Sequence, residues 1–321
     1  MKRHLIIFSL IFLSFSLISC SKREPVYSTD PGGILDQSSI LKGKVSGTLT
    51  PDHSPYRVSG IIEVDSMSTL TIEPGVSIYF SDSAGLVVKG KLVAQGTREQ
   101  PVFFTKDNDN SSWNGIQFIN TRNNSQLSFA IIEEIYINTS GTLDIGAVNL
   151  ENSSVTIHNS IIRHTHSPQG GGICLISSTA EIKNNVFMDN HAAYFGGAIL
   201  AVNTDLVFIN NSAYMNSSEN YGGGLVIRNA GISQIENNIF YKNSGQSGDP
   251  GVAFSGDSSK SIIKYNFTGY GVVSPLFISD TDMHLLQDSP CINQGDPTKE
   301  FNDTDNSRND QGAYGGPLGD W

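Results

Sequence analysis

The chain has 321 residues and carries 31 acidic against 20 basic side chains, a net charge of −11, with 32 glycines and three cysteines. That acidic balance, without a lysine or arginine cluster after the N-terminal segment, argues against nucleic acid and other polyanions as partners. Three cysteines in so long a chain exclude a scaffold built on disulfides.

The first element is a leader. Met1-Lys2-Arg3-His4 precedes an apolar run, Leu5 to Ile18, broken only by Ser9, Ser14 and Ser16. A charged start and a short apolar core predict a secretory signal over residues 1–19, too short to span a bilayer. Its end, Leu17-Ile18-Ser19-Cys20, resembles the lipobox of bacterial lipoproteins. The resemblance implies cleavage before Cys20, acylation of that cysteine and anchoring in a membrane. Ser21 in place of aspartate implies sorting to the outer membrane. Residues 20–40, with Pro25, Pro31, Gly32 and Gly33, then read as a flexible tether.

Residues 41–275 are periodic. Asn159, Asn185, Asn211, Asn238 and Asn266 recur at steps of 26, 26, 27 and 28 residues. A period in this range predicts a solenoid in which each repeat lays one coil on the last. A second phase agrees with it: Gly146-Ala147-Val148, Gly171-Gly172-Ile173, Gly197-Ala198-Ile199, Gly223-Gly224-Leu225 and Gly251-Val252-Ala253 open short apolar alternations of strand type. The opening glycines suit corners with positive φ. Coils this short cannot bury their own inward face, so stacking must supply the core, and the expected fold is an all-β parallel β-helix. The asparagine row then predicts a ladder of side-chain amides at one corner. A second polar row, His164, Asn190, Asn216 and Asn243, marks the next corner. Cys174, Leu200, Val226 and Phe254 alternate with inward positions and should face outward, where the C-terminal tail is the nearest cover. Such a fold-back would bring Cys291 toward Cys174; a disulfide and two free thiols both remain open.

These repeats resemble the right-handed parallel β-helix of the pectin-lyase-like superfamily, in its branch of uncharacterised bacterial surface proteins. The opening stretches Gly60-Ile61-Ile62-Glu63-Val64, Thr69-Leu70-Thr71-Ile72-Glu73-Pro74-Gly75-Val76 and Gly85-Leu86-Val87-Val88 are similar to the coils that seal the N-terminal end in that branch. The resemblance spans about residues 56–317 and concerns the fold, not a substrate. Pectate lyases of this fold cluster acids around Ca²⁺, and polygalacturonases use three aspartates with a nearby histidine and an Arg-x-Lys segment. Here no Asp-Asp pair stands on the coils, and Ile227-Arg228-Asn229 lacks the lysine.

One corner draws attention. Arg163 and Asp189 are 26 apart, hence expected as neighbours on adjacent coils, with His164, His166 and His191 close by. Tyr194 and Tyr221, 27 apart, are expected to stack. Acid, base and aromatic platform together could grip a sugar, with Arg163, Asp189 and His191 as the catalytic candidates and His164, His166, Tyr194 and Tyr221 as the binding ones. A solvated Arg–Asp pair on a ridge with stacked loop tyrosines is the plain structural alternative.

Residues 276–321 lose the period, as a capping tail should. Asp303, Asp305 and Asp310 could hold Ca²⁺ by ligand type, although the spacing is not that of an EF-hand; a capping loop in which Arg308 pairs with one of them is the other reading. The sequence thus predicts a monomeric outer-membrane lipoprotein, held in the membrane through Cys20. Its β-helix would act as a binding or structural module for polysaccharide or a surface protein. The rival is a polysaccharide lyase or glycoside hydrolase.

Overall fold

The computed structural model of the protein describes residues 39–321 apart from 110, 122, 138–144, 230 and 271. The expected leader, Cys20 and all but the last two residues of the tether lie outside the described residues. The body is an all-β, right-handed parallel solenoid of about 8 turns. Every paired strand runs parallel to its neighbour on the next coil, as the repeat requires.

Three long sheets run the length of the stack, and a fourth covers four central coils. One coil shows the plan: Ile173–Ile176 lies in sheet I, Thr179–Lys183 in sheet II, Val186–Met188 in sheet III and His191–Phe195 in sheet IV. Sheet I then resumes one coil higher at Ile199–Val202. Sheet IV consists of His166–Gln169, His191–Phe195, Ser217–Tyr221 and Ser244–Ser247.

Registry turns the period into a core. Val148, Ile173, Ile199 and Leu225 form one inward column, and Leu150, Leu175, Ala201 and Ile227 another; all are buried. Each such aliphatic side chain contributes roughly 1.5–3 kcal/mol by leaving water. Phe187, Phe208 and Phe240 fill the axis, their ring centroids 5.9 and 6.1 Å apart. Near the N-terminal end Trp113 stacks on Phe80 at 4.2 Å and donates its indole N–H to Glu133 O.

The amide ladder runs through Asn185, Asn211, Asn238 and Asn266, each Nδ2 donating to the next Oδ1 at 3.0, 3.1 and 2.8 Å. Asn159 is not one of its rungs. Ile161 pairs with Val186, so Ser160 stands opposite Asn185 and gives its backbone N–H to Asn185 Oδ1. The second polar row is corrected in the same way: Thr165, not His164, contacts Asn190 Oδ1 at 2.7 Å, and Asn190, Asn216 and Asn243 continue it. Both errors have one cause, because the step from this coil to the next is 25 residues and not 26 at these corners.

The residue before each rung has its own role. Asn159, Asn184, Asn210 and Asn237 all adopt positive φ, between 50° and 58°. Asparagine tolerates this left-handed conformation at modest cost. Their side chains point outward and hold the C-terminal tail, which runs back toward the N-terminal end. Asn237 Oδ1 accepts from Asp296 N, Asn210 Nδ2 donates to Asp310 O, Asn184 Nδ2 to Ala313 O and Gly315 O, and Asn159 Nδ2 to Leu318 O. Asp320 then reaches Arg98 at 3.4 Å, and Trp321 meets Phe129 edge-on. Beneath the tail lie Val186, Met188 and Tyr214 of sheet III, closed over by Met283, Ala313, Phe277 and Trp321.

The tail therefore covers sheet III and not the outward row of sheet I. Cys174, Leu200 and Val226 are indeed outward of the core, but sheet IV buries them, with Phe195 and Tyr221 packed against them. Ala253, not Phe254, completes that column, since one extra residue in the last repeat shifts Phe254 opposite Ile227. Cys174 and Cys291 are both buried and both free. The glycine expectation is corrected too. Positive φ falls on Gly170, Gly196 and Gly222, whereas Gly223 is required by close approach: a Cβ there would sit 2.2 Å from Ser244 N.

Candidate functional site

A cleft of about 460 Å³ opens at the corner between sheets III and IV, near the N-terminal start of sheet IV. Its walls are built by consecutive coils. Lys106 follows the strand Val102–Lys106, Glu134 follows Ala130–Glu133, His164 follows Ile161–Arg163 and Asp189 follows Val186–Met188. Glu134, His164 and Asp189 each take positive φ, which ends the strand and turns the side chain outward. Glu134 lies 3.1 Å from Lys106 Nζ and 3.2 Å from His164 Nδ1, and Lys106 also approaches Asp109 at 3.9 Å. The wall is thus a mixed polar edge with both signs of charge.

Aromatic rings line the other side. Tyr136 bridges to His166 and His166 pairs with His191, so three rings at one register position stack along the solenoid axis. Their centroids are 4.6 and 4.7 Å apart, with interplanar angles of 16° and 19°. This spacing is the coil-to-coil distance of a parallel sheet. His191 anchors the inner end, its Nδ1 3.0 Å from Ser217 Oγ. Burial, reinforced by the neighbouring His191, lowers the His166 pKa and favours its neutral ring. Tyr136 is the outer end and is 48 % exposed. Among the described residues no further ring continues the column beyond it.

The residues singled out in the sequence are placed apart. Arg163 pairs in register with Met188, and its guanidinium lies 2.7 Å from Glu133, so the expected Arg163–Asp189 pair is replaced by a bridge to the preceding coil. His164, His166 and Asp189 all line the cleft, whereas His191 stands behind His166. Tyr194 and Tyr221 do not stack. Phe195 is the residue opposite Tyr221, their rings tilted by 60° at 6.4 Å, and Tyr194 points to solvent. The registry of sheet IV bulges by one residue here, which the 27-residue step concealed. Lys106, Glu134 and Tyr136 were missed because steps of about 30 residues precede the regular repeat. The parallel between Ile131-Ile132-Glu133-Glu134 and Ile161-Ile162-Arg163-His164 was the signal that could have found them.

The acidic residues of the tail serve the tail. Asp303 accepts from Asp310 N and Ser307 Oγ and is paired with Gly316 N; Asp305 accepts from Ser307 N; Asp310 accepts from Asn293 N. Arg308 does not join them, donating instead to Gly295 O. Burial raises the pKa of Asp303 and pushes that of Asp310 up to about 6. Among the described residues no group of three or more His, Cys, Asp or Glu side chains is arranged to hold a metal ion.

Comparison with known proteins adds little to this geometry. A stretch of 54 residues, 17 % of the chain, is 44 % identical to protein bark beetle of Drosophila melanogaster, and spans 2 % of the length of that relative. No family model matches the chain, and no solved structure matches it. Among the described residues no helix is long and apolar enough to cross a membrane.

Proposed function

We propose that the protein is a lipid-anchored β-helix of the pectin-lyase-like kind, held at the bacterial outer membrane through Cys20, and that it binds polysaccharide in the cleft at Tyr136. The observation that carries the reading is the open end of the ring column. A sugar ring lying on the free surface of Tyr136 would extend the stack by one member, its C–H face against the aromatic ring. Its hydroxyls would then meet Lys106, Asp109, Glu134 and Asp189 on the facing wall, which offer both donors and acceptors. Arg163, Asp189 and His191 are not brought to one point, so the binding reading is better supported than the lyase or hydrolase reading.

The test is a glycan array probed with the full chain and with Tyr136→Ala. Loss of the aromatic surface should weaken binding about tenfold, from a stacking contribution of roughly 0.5–1.5 kcal/mol plus the buried area. Equal binding by the variant, or no binding to any glycan, would sink the proposal. Depolymerisation that Asp189→Ala abolishes would replace it with the enzyme reading. The anchor is tested separately, since Cys20→Ala should move the protein from the membrane fraction to the soluble one.

A further inference from the structure

The two ends of the solenoid differ. In the first coil the inward side chains Leu41, Val45 and Leu49 are buried, 0 to 5 % exposed. In the last coil the column that holds Ile235 at 0 % ends in Ile263 at 46 %, beside Ile262 at 53 %. Phe254 and Phe267, opposite the buried Ile227 and Ile239, are only half covered. The tail does not close this end, because it turns along the side of sheet III toward earlier coils. The outer edges of Val252–Ser255, Ser261–Lys264 and Phe267–Thr268 carry no further strand, and among the described residues the amide ladder stops at Asn266. Free parallel edges around an exposed core are a surface that another strand layer fits.

We propose that this C-terminal end docks on the same end of a second copy, forming a closed two-fold dimer in place of the monomer expected from the sequence. Three features select that occupant. The N-terminal end keeps its inward side chains buried, so head-to-tail stacking would leave the open core facing a finished surface. An end-to-end contact is self-complementary and closes, whereas head-to-tail contacts propagate as filaments. The chain as a whole carries −11, yet residues 251–268 hold two lysines against one aspartate, so the like-charge repulsion that keeps acidic molecules apart is weakest there. A two-fold axis through sheet II sets Ser261–Lys264 antiparallel to its copy and places Ile262 of one molecule opposite Ile263 of the other. The inference is independent of the glycan reading.

The experiment uses the full chain carrying Cys20→Ala, so that no acyl group drives association, with mass measured by light scattering across a dilution series. A dimer is expected that dissociates on dilution, with Ile263→Lys raising the dissociation constant at least tenfold. A second measurement does not depend on the folding of that variant. Oxidation of Ile262→Cys should give a disulfide-linked dimer, and Met67→Cys, 95 % exposed at the other end, should give none. A monomer at every soluble concentration refutes the proposal. So does a dimer insensitive to Ile263→Lys, or one captured through Met67→Cys instead, either of which would point to a different surface.

Discussion

Replacing Asn211 by alanine should be among the most damaging single changes in the molecule. Asn211 Oδ1 accepts from Asn185 N at 2.9 Å and from Asn185 Nδ2 at 3.0 Å. Its Nδ2 donates to Ile182 O, Ile209 O and Asn238 Oδ1 at 2.9 to 3.1 Å. The site has no solvent exposure, so water cannot replace these partners. The variant leaves the Asn185 backbone N–H and the inward face of the Ile182 carbonyl without their side-chain partner, at about 1–3 kcal/mol each. Adding the small void gives a loss of about 3–5 kcal/mol, a large share of the 5–15 kcal/mol that typically holds a fold. The proper control is Asn159→Gly. Glycine keeps the left-handed backbone, and only the bond to Leu318 O is lost, so about 1 kcal/mol is expected. Guanidinium unfolding followed by far-UV circular dichroism compares the two midpoints. If Asn211→Ala is no worse than Asn159→Gly, the rung assignment is wrong.

Two further outcomes follow from the tail. Asn184→Gly removes two bonds, to Ala313 O and Gly315 O, while keeping a backbone compatible with positive φ. Hydrogen exchange should accelerate over residues 312–321 with the strands of the solenoid unchanged; acceleration throughout, or nowhere, would contradict a locally held tail. Asp310, with its pKa raised from 3.8 to about 6 by burial, holds its proton more tightly folded than unfolded. Its contribution is therefore complete below pH 3.8 and lost as pH rises through 6, so across that window this group makes stability fall with rising pH. Asp310→Asn should flatten that slope in unfolding midpoints measured across the same range, and an unchanged slope would assign it to another group.

The fold was legible because solenoid architecture is written in the period itself. Ile, Val and Leu at alternate positions, repeated every 26 residues or so, leave stacking as the only way to bury them. Corner chemistry was less legible, since a one-residue error in registry changes which side chain is a rung. The doubled asparagines show the difficulty: Asn184-Asn185, Asn210-Asn211 and Asn237-Asn238 each combine an outward clamp with an inward rung, and spacing alone does not say which is which. Where only one asparagine stands, at Asn159, the residue is the clamp and Ser160 takes the rung position. The cleft was half visible. His164, His166 and Asp189 fell within the regular repeat, whereas Tyr136, Glu134 and Lys106 belong to longer coils whose alignment needs the strand pairing itself.

The returning tail also sets a limit on the order in which the molecule can be completed. A solenoid contacts only neighbouring coils and can in principle be laid down turn by turn as the chain emerges from the ribosome or from a translocation pore. Here the outer surface of sheet III around Val186, Met188 and Tyr214 stays bare until Met283, Ala313 and Trp321 have arrived. Asn159 waits for Leu318, a partner 159 residues later. Until the final residue is delivered, the growing protein carries a greasy stripe along several finished coils, and its last stretch works as the strip that seals a seam already sewn.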